Sequence, residues 1–329
     1  MKNRKGILIY FICICWLMGA CGKAGSGTES SWDDYVKVES QVVEGLELES
    51  LQEESKNQEG ASGAEGVVSE QVPEVEPYQY LDTQGMTIES RINVPEGYGR
   101  KPADEGSFTE FLRTYSLKEH GSPVLLYDGS EKWNQDTHVA VLTLPIEERD
   151  LQQCADSVMR VYAEYYFKTE QYEKIRFRFT NGFLAEYAKW REGYRISVDG
   201  NNVNWVKSAN YDDSYETFVK YMRTVFTYAG TLSMEQESET ISVEEACVGD
   251  IILKGGSPGH VVMIVDMCEN EQGEKAFLLA QGYMPAQEFH VLKNPLHEEN
   301  PWYFEDELTG SIRTPEYRFE EGCLKRPEY

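Results

Sequence analysis

The sequence predicts an α+β domain: helices first, then a meandering antiparallel sheet. Three observations carry this prediction. Apolar residues recur at three- and four-residue spacing after Ser107 and after Asp150, as on one face of a helix, and Tyr215–Ala229 reads as a further long helix. From Gly249 onward, short apolar runs alternate with turns rich in Gly, Asp and Asn, as in hairpin-connected strands. The hydrophobic content of 40% is ordinary for a chain that closes a real core.

Ser107 precedes Phe108, Phe111, Leu112 and Tyr115, so the first helix carries a serine N-cap. Val124–Gly129 and His138–Leu142 read as strands. Asp150 then opens the most strongly patterned helix, with Leu151, Ala155, Val158, Tyr162 and Tyr165 on its buried face. Gln153, three residues beyond Asp150, completes a capping-box pattern. Lys174–Thr180 alternates apolar and basic residues and ends at Asn181-Gly182, a hairpin turn signal. Tyr215–Ala229 is a second long helix. A Gly249-Asp250 turn leads to the strand Ile251–Leu253, the loop Gly255–Gly259 and the β-rich run His260–Met267. A turn over Glu269–Gly273 and a strand over Phe277–Ala280 close the hairpin. Residues 78–329 show no internal repeat and no linker, and are read as a single domain.

The chain has 329 residues, with 57 acids against 31 Lys and Arg, a net charge of −26. Phosphates would be repelled, which excludes nucleic acid as a partner class. No G-x-x-x-x-G-K-S/T loop and no C-x-x-C pair occurs, which sets aside nucleotide motors, zinc ribbons and thioredoxin-type redox sites. Lys2, Arg4 and Lys5 precede an apolar run over Gly6–Met18, too short for the roughly 20 residues of a spanning helix. Residues 1–20 therefore read as a signal peptide. Gly19-Ala20-Cys21 resembles the bacterial lipobox, which implies cleavage before Cys21, a diacylglycerol on its thiol, and an extracytoplasmic protein held on the cytoplasmic membrane. Residues 21–77 hold fourteen acids and three bases and few aromatics, the composition of an acidic disordered tether. Within it, Val42–Leu51 is weakly patterned for a short helix. The remainder stays acidic, with 43 acids against 25 bases over residues 78–329.

Cys154 falls in or just beyond the first turn of the helix opened by Asp150. The positive end of a helix is where a thiol loses its proton most readily, and thiolate is the nucleophile. Backbone N–H groups at the same terminus, around Gln153, could hold an oxyanion. The plainer reading of Cys154 is a small core residue. His260 begins an apolar strand entered through a small-residue loop, which sets an imidazole at the sheet's edge as a general base requires; a lone histidine is also commonly structural. A third group should orient that ring. Asp266 shares its face but lies about 20 Å along the strand. Gln281 is better placed: the expected turn brings it opposite Val261, beside His260, with a one-residue slip able to change its facing. Asn300, Asp250, His290 and Gln287 are further candidates.

The order of a helix-start cysteine, a G-D turn, a G-H strand and a strand ending in a polar residue resembles the NlpC-type and CHAP cell-wall hydrolases of the papain-like superfamily. That resemblance implies a papain-like fold, Cys154 as nucleophile, His260 as base and Gln281 as orienter. The D-C-S-G surroundings usual for an NlpC-type cysteine are absent, and glutamine is an unusual third member. Residues 90–320 also resemble a bacterial family known as domain of unknown function 4846, through Ser107-Phe108, Phe111-Leu112-Arg113, Asp150–Asp156, Gly259-His260 and Ala280–Gln287.

The function these features lead to is a membrane-anchored cysteine hydrolase of amide bonds, with cell-wall peptides as the nearest substrate. A catalytically inactive papain-like scaffold that binds a peptide or glycan is the alternative, with Trp190, Trp205, Tyr283 and Trp302 available to line a cleft. A third possibility is a structural domain with two disulfides among Cys154, Cys247, Cys268 and Cys323. No H-x-x-x-H or H-x-H spacing joins His260, His290 and His297, so no metal or other cofactor is expected.

Overall fold

A nine-stranded sheet organises residues 79–329, the part of the chain that the computed structural model describes. The signal sequence, Cys21, the acidic tether and the helix expected near Val42–Leu51 lie outside the described residues. In chain order the elements begin with α1 (Ile88–Arg91), β1 (Tyr98–Gly99), α2 (Phe108–Arg113), β2 (His138–Val141) and α3 (Cys154–Lys168). The hairpin β3 (Arg176–Arg178) and β4 (Leu184–Glu186) follows, then α4 (Tyr187–Arg191) and a second hairpin, β5 (Tyr194–Asp199) and β6 (Asn202–Lys207). Next come α5 (Tyr215–Tyr228), α6 (Thr231–Gln236), β7 (Ser238–Thr240), β8 (Ile251–Lys254), β9 (His260–Asn270) and β10 (Lys275–Gln281). The chain ends with β11 (His290–Leu292), β12 (Tyr303–Phe304), β13 (Ile312–Arg313), β14 (Arg318–Phe319) and β15 (Leu324–Pro327).

The sheet runs β2-β11-β10-β9-β8-β15-β7, with β1 added to β9 and β12 to β10. Each of these ladders is antiparallel. The expected α+β class, helices with an antiparallel sheet, is what the chain adopts.

Strand β9 lies at the centre and is covered on both faces. Val261, Met263 and Val265 belong to one apolar cluster with Val158 and Tyr162 of α3 and Phe218 and Val225 of α5. Val262 and Ile264 point the other way, into a cluster with Phe277, Leu279, Ile312 and Phe319. Period-two alternation thus feeds two layers, each fully buried aliphatic side chain contributing about 1.5–3 kcal/mol. A bulge breaks the β9–β10 register: Leu278 pairs with Asp266 but Leu279 pairs with Ile264, leaving Val265 unopposed. At the bulge, the buried Asp266 carboxylate is clamped by Arg100 Nε at 2.6 Å and Arg113 Nε at 2.7 Å.

Several expectations need correction. Val124–Gly129 is not a strand. Asp128 accepts from Ser130 N and the chain turns at Gly129, φ +82°, leaving only bridges at Leu125 and Leu126. Helix α3 starts at Cys154 with Gln153 as N-cap, later than an Asp150 cap would place it. Asp150 is spent elsewhere: its Oδ1 accepts from Ala286 N at 2.7 Å and from Gln153 Nε2 at 3.0 Å. The N-caps Ser107 and Ser214 do accept from Glu110 N and Thr217 N as their positions require. The β5–β6 hairpin was not foreseen, although Asp199-Gly200-Asn201 between two alternating runs is its signal.

Candidate active site

The rim where β9 begins and β10 ends meets the start of α3. Cys154 is the first residue of that helix and is half-buried. Gln153 is its N-cap, with φ −85° and ψ −153°. The Gln153 backbone N–H is taken by Asp156 Oδ2 at 3.1 Å and Leu151 O at 2.9 Å, and its side-chain Nε2 donates to Asp150. The N–H groups turned on the Cys154 sulfur are those of Ala155, Val261 and Cys154 itself. Val261 directly follows His260, and the β9–β10 ladder has ended by then, its last pair being Ala280 with Met263. Close approach is possible because residue 282 is glycine: a Cβ there would lie 2.3 Å from Ser157 Oγ and 3.1 Å from Gln153 O. Burial pushes the Cys154 thiol up to about 12, Asp156 adding to the rise, against the pull of those N–H groups.

His260 opens β9 and is 2% exposed. Its ring Nε2 is 2.8 Å from Gln281 Oε1. An amide oxygen only accepts, so Nε2 carries the hydrogen and Nδ1 keeps its lone pair. This pairing depends on the bulge. Continued without the bulge, the register on the turn side would set Gln281 opposite Met263, facing away from His260. With Val265 looped out and the turn shifted, Gln281 lines up with Val262, on His260's own face. Aromatic rings wall the imidazole: Tyr283 at 4.7 Å between centroids, Tyr317 at 5.0 Å and Phe319 at 5.8 Å. Desolvation by these neighbours lowers the ring to about 4, with Lys132 adding to the fall and the Gln281 bond opposing it.

Gln281 in turn donates from Nε2 to Glu316 Oε2 at 2.8 Å. Glu316 also accepts from Lys132 Nζ at 2.5 Å, and Lys132 donates to Thr137 Oγ1 at 2.8 Å. No sequence signal marked Glu316 or Lys132, because they lie far from Gln281 and His260 along the chain and belong to no motif.

The other candidates bind elsewhere, His290 alone adjoining this cluster. Asp266 is held by its two arginines. Asp250 binds Arg326 and the backbone N–H of Cys247. Asn300 accepts from Trp302 N. His290 pairs with Gln281 across the β10–β11 ladder, but its Nδ1 donates to Glu288 O, and burial drives it well below its usual value. Gln287 is buried, its Oε1 unpartnered among the described residues. Of the four aromatics proposed to line a cleft, Tyr283 is the one against His260; Trp302 and Trp190 are core, and Trp205 packs on Phe183. Cys154, Cys247, Cys268 and Cys323 are all free thiols, so the two-disulfide arrangement is not adopted. His297 bonds Glu307 at 2.6 Å.

The arrangement is that of an α+β protein in which a helix-start thiol, against the N–H of Val261, and an imidazole whose tautomer a glutamine sets share one rim of the sheet. The chain belongs to the family described as domain of unknown function 4846, whose model matches residues 88–326. No curated protein and no solved structure matches it.

Proposed function

We propose that this protein is a lipid-anchored, extracytoplasmic cysteine hydrolase of amide bonds with a papain-like, NlpC/CHAP-type arrangement, acting on cell-wall peptides. The observation that carries the reading is the 2.8 Å bond from His260 Nε2 to Gln281 Oε1, made at the rim of the sheet where the helix opened by Cys154 starts. It leaves Nδ1 of His260 as the base. As the sulfur attacks the amide carbonyl carbon, the thiol proton passes to Nδ1 and the carbonyl π pair moves onto oxygen. The N–H groups of Cys154 and Ala155, at the positive end of α3 capped by Gln153, hold that oxyanion. Collapse breaks the C–N bond, and the leaving amine takes the proton from His260. Water then adds to the thioester by the same base, releasing the acid and restoring the thiol. With the thiol at about 12 and the imidazole at about 4, the resting pair is neutral, so the proton moves during attack and not before it.

That neutral, aromatic-covered resting pair favours a second reading, a catalytically silent papain-like scaffold binding a peptide or glycan. Both are tested by incubating the protein with cell-wall peptides and following new amine groups by mass spectrometry. Cleavage that falls about 100-fold or more in Cys154→Ser and in His260→Ala supports the hydrolase. Binding without cleavage supports the scaffold. Cleavage unchanged in both variants rejects this site.

A further inference from the structure

We propose that Glu316 is a positioning residue that dictates, through Gln281, which nitrogen of His260 carries the proton. The proposal deepens the hydrolase reading and takes its catalytic meaning from it. The protonation pattern itself can be measured whether or not the protein cleaves anything.

The two ends of a glutamine amide have almost the same shape, so its orientation is decided by its neighbours. Here one neighbour is a carboxylate, which only accepts. Glu316 Oε2 lies 2.8 Å from Gln281 Nε2 and 2.5 Å from Lys132 Nζ. Lys132, 7% exposed and also bonded to Thr137 Oγ1, holds that carboxylate in place. With Gln281 Nε2 bound to Glu316, Oε1 is left to face His260 Nε2. An acceptor at 2.8 Å demands a hydrogen on that nitrogen, which leaves Nδ1 bare. Turning the amide over would set Oε1 against the Glu316 carboxylate, acceptor against acceptor, and lose that bond, while His260 Nε2 could accept from Gln281 Nε2 only by moving its hydrogen to Nδ1.

Glu316 sits on the turn between β13 and β14, closed by Thr314 N donating to Tyr317 O at 2.9 Å. The same hairpin lays Tyr317 and Phe319 on the imidazole. One small element therefore both covers His260 and sets its proton. A group that only filled space at residue 316 would cover the ring equally well and leave the tautomer unspecified.

The test is nitrogen NMR of the protein labelled with 15N-histidine at pH 7, the His260 signal being assigned by its absence in His260→Gln. The wild-type ring is expected as the Nε2–H tautomer alone; a predominant Nδ1–H form overturns the proposal without any variant. In the Lys132→Met/Glu316→Gln double variant no unpaired charge is left buried, and residue 316 can donate as well as accept. The ratio of Nε2–H to Nδ1–H is then expected to fall about tenfold, the difference between a charged and a neutral hydrogen-bond acceptor. An unchanged ratio in the folded double variant also overturns the proposal. Failure of hydrolysis with the wild-type Nε2–H tautomer intact would count against the hydrolase reading and not against this one.

Discussion

Replacing His260 by glutamine should remove a specific part of the protein's acid sensitivity. The buried ring titrates at about 4, against 6.5 for an exposed histidine. As pH falls through 6.5, the unfolded chain binds a proton that the folded chain refuses, so stability drops as the solution becomes acidic. The stabilisation is complete above pH 6.5 and lost by the time pH reaches 4. A gap of that size corresponds to about 3 kcal/mol overall, of which roughly 2 kcal/mol falls between pH 7.5 and 5. The assay is urea unfolding of the wild type and His260→Gln at both values. The variant pays a pH-independent cost for its lost bond and packing, but the wild type should lose roughly 2 kcal/mol more on acidification. His290 is displaced in the same direction, chiefly by burial and with His260 only a minor contributor, and is present in both proteins, so most of its contribution drops out of the comparison. Equal acid sensitivity in the two proteins would refute the claim that His260 is held neutral in a desolvated pocket.

Two further outcomes follow from packing. Asp266→Ala strips the carboxylate from Arg100 and Arg113, whose side chains are 13% and 6% exposed. A loss of about 3–5 kcal/mol is expected by denaturation, and a loss under about 1 kcal/mol would show that the clamp is not what seats the bulge. Gly282→Ala drives a methyl to 2.3 Å from Ser157 Oγ at the α3 start. It should cost about 1–3 kcal/mol by the same measurement, and a variant as stable as the wild type would mean that α3 does not abut the end of β10 there.

Much of this molecule is local and therefore legible in its sequence. The serine caps of α2 and α5, the alternation along β9 and the Asn181-Gly182 turn depend on neighbours within a few residues, where propensity and periodicity act directly. The same holds for a cysteine near a helix start and a histidine at a strand start. The pairing of His260 with Gln281 was not determined at that level. The sequence places both residues near the rim, but their facing turns on one looped-out valine, and a one-residue change of register flips every side chain beyond it. The bulge is set by contacts across the fold, where Asp266 binds Arg100 and Arg113 from segments more than 150 residues upstream. Asp150 also escaped a local reading: its position suits a cap, but the backbone of Ala286 competes for the same carboxylate. Glu316 and Lys132 become part of the site only because β13, β14 and the segment before β2 converge on one end of β10. Such convergence comes from burying two apolar sheet faces at once. It has no period and no motif, so tertiary structure alone decides it.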